Sequence, residues 1–66
     1  MSSANTHVAQ LLYTPEEAAV ALRFGRSTVY ELMASGELKW CKRGRSRRIK
    51  ASDLVAFVES LTAQPN

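Results

Sequence analysis

Two short helical segments separated by only three residues dominate the first half of the sequence. The first is predicted over Pro15–Leu22, because Thr14 can accept from backbone N–H groups of the first turn while Glu17 bonds back to it. Residues 23–25 interrupt the helical pattern, and a second helix is predicted over Arg26–Ser35. Helices this short are stable only when their apolar positions pack against each other and against the rest of the chain.

Apolar residues recur at helical spacing, and this periodicity predicts which side chains form the core. A last helix is predicted to open at residues 51–53 with Ser52 as its N-cap, because apolar residues then follow at i, i+3, i+4 and i+7. Trp40 is expected to be buried or half-buried against the hairpin that is predicted before this helix. The alternative is that Trp40 faces DNA or a partner protein. The predicted apolar packing positions are Ala18, Ala19, Leu22, Phe24, Val29, Leu32, Met33, Cys41, Leu54, Phe57, Val58 and Leu61.

The segment 39–50, KWCKRGRSRRIK, concentrates the positive charge of the chain. It carries seven of the nine basic residues and no acid, whereas the remainder carries two basic and six acidic residues. Short extended runs at 38–42 and 47–50 predict a β-hairpin whose tip lies near residues 43–46. Like charges this dense repel one another unless a polyanion neutralises them. The segment therefore predicts a surface that binds nucleic acid; the alternative is a solvated charged hairpin.

Helix, short break, helix is the helix-turn-helix arrangement, and a basic hairpin directly after it makes the arrangement winged. The predicted fold is mainly α with a small β-hairpin, in the order α-α-β-β-α. The ordered domain is predicted at residues 11–62, where 11–13 begin it as a short extended piece. A flexible N-terminal tail at 1–10 and a C-terminal tail at 63–66 are predicted to flank it.

The run TPEEAAVALRFGRSTVYELMASGEL, followed by KRGRSRRIKASDL, resembles the excisionase-type domain of the MerR-like winged-helix group. The resemblance rests on the acidic capped first helix, RSTVY opening the second helix, SGEL before the wing, GRSRRI at its tip and DL in the last helix. It covers residues 11–61. It implies a phage or integrative-element recombination directionality factor, which binds and bends attachment-site DNA so that an integrase excises.

The resemblance also implies the partners. These are double-stranded DNA, a phage-type integrase and further copies of the chain binding cooperatively, in the cytoplasm of a bacterial host at its nucleoid. Relatives in the same group regulate transcription, so a small MerR-like regulator is the alternative. A long dimerisation helix and effector domain are not expected, because the chain ends five residues after Leu61. A third hypothesis is a protein-interaction module whose basic hairpin docks on an acidic partner.

Three positions depart from the family pattern. Arg23 stands where Gly is common at the turn, so a left-handed backbone there would cost more than in a typical member. Gly25 stands where a capping Ser is usual, which predicts a less firmly started second helix. Glu31 replaces a frequent basic residue, so a phosphate contact is not carried over to that position.

The second helix is predicted to read DNA through its N-terminal part, because its outward side chains lie opposite the apolar stripe. Arg26 can pair with a guanine edge or hold a phosphate, and Tyr30 can reach a phosphate or a thymine methyl. Ser27 and Thr28 can donate to phosphate oxygens at the helix N-terminus, and Glu31 can accept from cytosine N4. The predicted DNA-binding residues of this helix are Arg26, Ser27, Thr28, Tyr30 and Glu31.

The wing is predicted to lie along the DNA backbone or in the minor groove. Gly44 is a turn residue first, and its lack of a side chain also permits close approach of the backbone to DNA. The predicted DNA-binding residues of the wing are Lys42, Arg43, Gly44, Arg45, Ser46, Arg47 and Arg48.

Other function classes find little support in the sequence. With 66 residues, a chain buries only about 60% of its unfolded surface, which excludes a large enzyme with a deep cleft. Neither a Ser–His–Asp nor a Cys–His set is available within a predicted folded element, so no enzymatic activity, cofactor or metal is expected. His7 is expected to be inert in the tail, and the single cysteine excludes an internal disulfide. The uncharged start and the lack of a long apolar run predict neither a signal peptide nor a membrane span.

Overall fold

The computed structural model describes residues 9–61. The predicted C-terminal tail, His7 and the first eight residues of the predicted N-terminal tail lie outside the described residues, and the domain boundaries stay predictions. Three helices and three short strands follow one another along the chain, which confirms the predicted winged helix-turn-helix. In order they are β1 (Leu12–Tyr13), α1 (Pro15–Leu22), α2 (Arg26–Ser35), β2 (Cys41–Arg43), β3 (Ser46–Lys50) and α3 (Ala51–Ser60).

Helix α1 begins at the predicted capping box. The Glu17 N–H donates to Thr14 Oγ1 at 3.0 Å, and the Thr14 N–H donates to Glu17 Oε1 at 2.9 Å. The helix ends where Arg23 takes a left-handed backbone conformation at φ 61°. The N–H groups of Arg23 and Phe24 then donate to the carbonyls of Val20 and Ala19, which is a Schellman ending built without glycine.

The strands form one antiparallel sheet in the order β1-β3-β2. Tyr13 pairs with Ile49 between β1 and β3, and the Ala51 N–H donates to the Leu11 carbonyl at 2.9 Å. This confirms the extended piece predicted at 11–13. The pair Arg43 and Ser46 closes the hairpin between β2 and β3, so its turn lies within the predicted tip.

The core lies between α1, α2, α3 and the central strand β3. Leu38 and Ile49 are fully buried in it, although the apolar periodicity of the helices did not point to either residue. Leu22, Leu32 and Tyr30 pack half-buried against it. The buried set is Ala18, Ala19, Val29, Met33, Leu38, Ile49, Leu54 and Phe57.

The predicted core was wrong at Val58 and Leu61, which remain about half exposed. Helix α3 packs through Leu54 and Phe57, and Val58 lies to the side of that line of contact. Leu61 follows the last residue of α3 and takes an extended conformation, so the helical spacing no longer applies to it. Phe24 is also more exposed than predicted, since it meets the Phe57 ring only edge-on at 6.4 Å between centroids.

Two predicted local features also differ in the structure. Helix α3 begins at Ala51 because β3 runs directly into it, so Lys50 is the N-cap and Ser52 does not cap the helix. Residues 38–40 do not join the hairpin, and β2 starts only at Cys41. The Leu38 N–H instead donates to the Leu32 carbonyl at 3.1 Å, which holds this stretch against the end of α2.

Within residues 9–61 no helix is long and apolar enough to span a bilayer.

Candidate nucleic-acid interface

Helix α2 exposes the N-terminal surface that the sequence predicts for DNA reading. Val29 and Met33 are buried on its inner side, whereas Ser27, Thr28 and Glu31 are exposed. Its N-cap is Gly25, which has no side chain to bond the amides of the first turn, as the sequence predicts. Backbone N–H groups at a helix N-terminus favour an anion such as phosphate. The first turn of α2 therefore offers both exposed side chains and exposed amides.

Arg26 and Tyr30, the two largest predicted reading residues, share a partner on α1. The Tyr30 hydroxyl donates to Glu16 Oε2 at 3.0 Å. Arg26 Nη1 lies 4.0 Å from the same oxygen, and the side chains of Arg26 and Glu16 are each more than half exposed. Tyr30 is half-buried rather than fully outward. The structure thus adds Glu16, which was not among the predicted site residues, to the candidate interface.

The contact alters the acidity of both groups. Hydrogen bonds from its own backbone N–H and from the Tyr30 hydroxyl, with Arg26 and Arg48 nearby, hold the pKa of Glu16 below its ordinary value. The same hydrogen bond raises the pKa of the Tyr30 hydroxyl, because the bond is lost when tyrosine gives up its proton. At neutral pH Glu16 is therefore a carboxylate that accepts from a neutral Tyr30.

The wing presents its positive charge with little internal compensation. Lys42 lies directly opposite Arg47 across the two strands, a pairing of like charges that is unfavourable in a sheet. In the described part of the chain, none of the seven basic side chains of segment 39–50 forms an ion pair with an acid. At the turn Gly44 has φ 60°, where its Cβ-free backbone is favoured. The exposed wing residues are Lys42, Arg43, Gly44, Arg45, Ser46 and Arg47, and Arg48 is half-buried.

Trp40 connects the wing to the end of α2. Its indole Nε1 donates to the Met33 carbonyl at 3.2 Å, and the Arg47 guanidinium lies 5.5 Å from the ring centroid. A cation over an aromatic face at this distance is attractive. Trp40 is 37% exposed, which is more than the buried or half-buried position expected from the sequence, and the neighbouring Cys41 is half-buried rather than buried. Trp40 therefore acts as a platform that orients one wing arginine.

One open groove of about 480 Å³ joins the start of α1, helix α2 and the wing. Among the predicted site residues, Tyr30 lines it together with Arg45, Ser46, Arg47 and Arg48. The remaining predicted residues of α2 and the wing lie outside its lining. Thr14, Pro15 and Glu16 complete the wall on the α1 side, and none of the three was predicted as a site residue. Within residues 9–61 no three acidic or cysteine side chains come together as a metal site would require.

The chain matches known proteins over most of its length. A family model described as a helix-turn-helix domain matches residues 12–62. A protein of Saccharopolyspora erythraea described as a probable excisionase is 42% identical over 55 residues, a match that spans 83% of this chain. The chain covers 56% of that relative's length. No solved structure gives a significant match.

Proposed function

Because the chain belongs to the helix-turn-helix domain family, we propose that it is a sequence-specific binder of duplex DNA that works as an excisionase. The folded DNA-binding unit would be residues 11–62, acting in the bacterial cytoplasm at the nucleoid. The resemblance drawn from the sequence motifs agrees with this family membership.

A single observation carries the DNA-binding proposal: Tyr30, one of the five predicted reading residues of α2, and the basic wing border the same open groove. Tyr30 from α2 and three arginines of the wing line it together. In a winged helix-turn-helix the second helix enters the major groove while the wing follows the backbone or the minor groove. One approach of a duplex would therefore engage both elements.

The two elements divide the work of recognition. Arg26 at the exposed start of α2 can pair with a guanine edge, and Ser27 and Thr28 can donate to phosphate oxygens beside the open helix N-terminus. Arg45 and Arg47 can neutralise phosphates along the wing. Phosphate contacts set register and affinity, whereas contacts with base edges set specificity.

Salt dependence tests the wing clamp directly. If roughly four to six phosphates are neutralised, a plot of log K against log salt falls with a slope of about −4 to −5. A slope near −1 would contradict the clamp, because it corresponds to about one released counterion. The measurement is fluorescence anisotropy of a labelled duplex over a series of salt concentrations.

The excisionase role is supported by the relative described as a probable excisionase, which covers most of this chain. A single module of this size buries little DNA surface, so strong binding and bending call for several copies loaded on neighbouring sites. We propose cooperative binding on tandem attachment-site repeats, bending of that DNA and contact with a phage-type integrase.

Selection of bound sequences from a random duplex pool at physiological salt is the first experiment. Enrichment of direct repeats about one helical turn apart supports side-by-side loading and the excisionase role. Enrichment of a lone or inverted site favours a small transcriptional regulator instead. A pool that stays unenriched overturns sequence-specific binding and leaves only charge-driven attraction.

A further inference from the structure

Glu16 lies where the reading helix and the wing meet. Its carboxylate accepts from the Tyr30 hydroxyl at 3.0 Å and lies 4.0 Å from Arg26 Nη1. The same groove is lined by Arg45, Arg47 and Arg48 of the wing. An acid thus stands inside the surface that is otherwise the most basic part of the molecule.

Helix capping accounts for only part of the position of Glu16. The neighbouring Glu17 forms both bonds of the capping box with Thr14. The Glu16 carboxylate accepts from its own backbone N–H on α1, and across the corner it accepts from the Tyr30 hydroxyl on α2. Its contacts therefore link the start of α1 to the reading helix.

Two physical effects follow from a carboxylate at this point. It limits the directions that Tyr30 and Arg26 can take, because both are drawn to the same oxygen. It also repels phosphates that approach the groove, since like charges interact unfavourably at short range. The first effect holds the Tyr30 and Arg26 side chains in the orientation that one set of base edges and phosphates requires. The second effect weakens binding to a duplex that offers only phosphate contacts.

We propose that Glu16 is a specificity-determining residue, which orients Tyr30 and Arg26 and disfavours DNA that supplies only phosphate contacts. This inference rests on the proposed function, because it concerns discrimination between a target duplex and other duplexes. On target DNA, base contacts compensate for loosening the exposed Arg26–Glu16 pair. On other DNA that compensation is missing and the repulsion remains.

Three variants separate the two effects. Glu16→Gln removes the charge but keeps a side-chain oxygen that accepts from Tyr30. Glu16→Ala removes both the charge and the acceptor. Glu59→Gln is the matched control, because Glu59 is exposed on α3 and its removal changes the net charge by the same amount. Thermal unfolding confirms that each variant is folded.

The readout is affinity for the duplex enriched by the selection against a random-sequence duplex of equal length. Glu16→Gln should raise affinity for the random duplex about 2- to 5-fold, as expected for one exposed charge, with a smaller gain on the enriched duplex. Glu16→Ala should lower the ratio of the two affinities about 10-fold, because Tyr30 is no longer oriented. If Glu16→Ala and Glu59→Gln shift the ratio equally, Glu16 has no special role and the inference fails.

A double-mutant cycle identifies the path through Tyr30. In a Tyr30→Phe background the phenyl ring has no hydroxyl to donate, so the difference between Glu16→Ala and Glu16→Gln in the affinity ratio should shrink to the part that passes through Arg26. A difference between Ala and Gln that is as large in this background as in the wild type would contradict orientation of Tyr30 by Glu16.

A measurement without DNA keeps this inference distinct from the proposed function. Titration of tyrosine absorbance should give a lower pKa for Tyr30 in Glu16→Ala than in the wild type, with Tyr30→Phe used to subtract the Tyr13 signal. An unchanged Tyr30 pKa overturns the orienting contact whether or not the protein binds DNA. If the selection yields an enriched duplex and the affinity ratios do not move, the proposed function stands and only the role of Glu16 falls.

Discussion

The reading helix and the wing expose their charged side chains under different electrostatic conditions. On α2, Arg26 and Tyr30 converge on the carboxylate of Glu16, so part of the positive charge is offset and the directions of the side chains are constrained. On the wing, Lys42 faces Arg47 across the strands, and no acid of the described residues pairs with the basic side chains. An oriented, partly neutralised surface suits discrimination, whereas an uncompensated one suits affinity for any phosphate backbone.

The two regions are also anchored differently. Helix α2 is held by buried Val29 and Met33 on its inner side. The wing reaches the core mainly through Ile49 of β3, while Trp40 braces it against the end of α2. The base of the wing is thus held by Ile49 and by the pairing of β3 with β1, whereas its tip is exposed to solvent.

The largest effect should come from removing the anchor of the wing. Ile49→Ala deletes a fully buried side chain at the centre of the sheet and should lower the free energy of unfolding by about 2 to 5 kcal/mol. Val58→Ala, on the half-exposed side of α3, should change it by less than about 0.5 kcal/mol. Chemical denaturation of both variants checks this, and similar losses for the two would contradict the assignment of the core.

Removing charge from the wing should be the next largest effect. The double variant Arg45→Ala with Arg47→Ala should lower affinity for all duplexes about 10- to 100-fold and make the salt slope shallower by about 2. Sequence preference should be retained, since α2 is unchanged. The matched control replaces both arginines by lysine, which keeps the charge and should keep the salt slope. An unchanged slope in the alanine variant would show that the wing does not contact phosphate.

A smaller effect is expected at the corner that positions α2. Arg23 is the one non-glycine residue with positive φ in residues 9–61, so Arg23→Gly should relieve backbone strain. We expect a gain of about 0.5 to 1 kcal/mol in the free energy of unfolding, measured by thermal denaturation. Arg23→Ala keeps the strain and serves as the control for loss of the side chain. Equal stabilities for the Gly and Ala variants would show that the left-handed conformation carries no strain.

The smallest effect should be the pH dependence of the Glu16 contact. Because the backbone N–H of Glu16 and then the Tyr30 hydroxyl hold the pKa of Glu16 below its ordinary value of 4.5 in the folded protein, the Glu16 carboxylate contributes stability above that pH. This contribution is lost as the pH falls through the lower pKa of the folded state. Thermal unfolding over this acid range should show a steeper loss for the wild type than for Glu16→Gln. Parallel curves would indicate that Glu16 is not favoured as a carboxylate in the folded protein.

Local signals allowed much of the fold to be predicted. The capping box at Thr14 and Glu17 and the break at 23–25 are decided by residues within a few positions of one another. The bounds of α1 and α2 were therefore correct to the residue. The hairpin tip was also found, because Gly44 and the flanking extended runs are neighbours in the sequence.

Helical periodicity was a weaker guide to burial than to helix formation. It identified Leu54 and Phe57 as buried but also selected Val58, which packing leaves half exposed. It had no means to find Leu38, which lies outside any helix and is drawn into the core by its backbone bond to Leu32. The spacing of apolar residues along a helix indicates which face of the helix is buried. The elements packed against that face determine how wide the buried strip is.

Caps, turns and composition are local properties, and they suffice to predict the helices, the hairpin and the concentration of charge in segment 39–50. Packing of the elements against one another sets which distant groups meet. Glu16 and Tyr30 are fourteen positions apart, and their contact exists only because the corner at Arg23 brings α1 and α2 together. The angle of that corner depends on packing of Ala18, Ala19 and Val29 in the core, a cooperative property that no single stretch of sequence encodes.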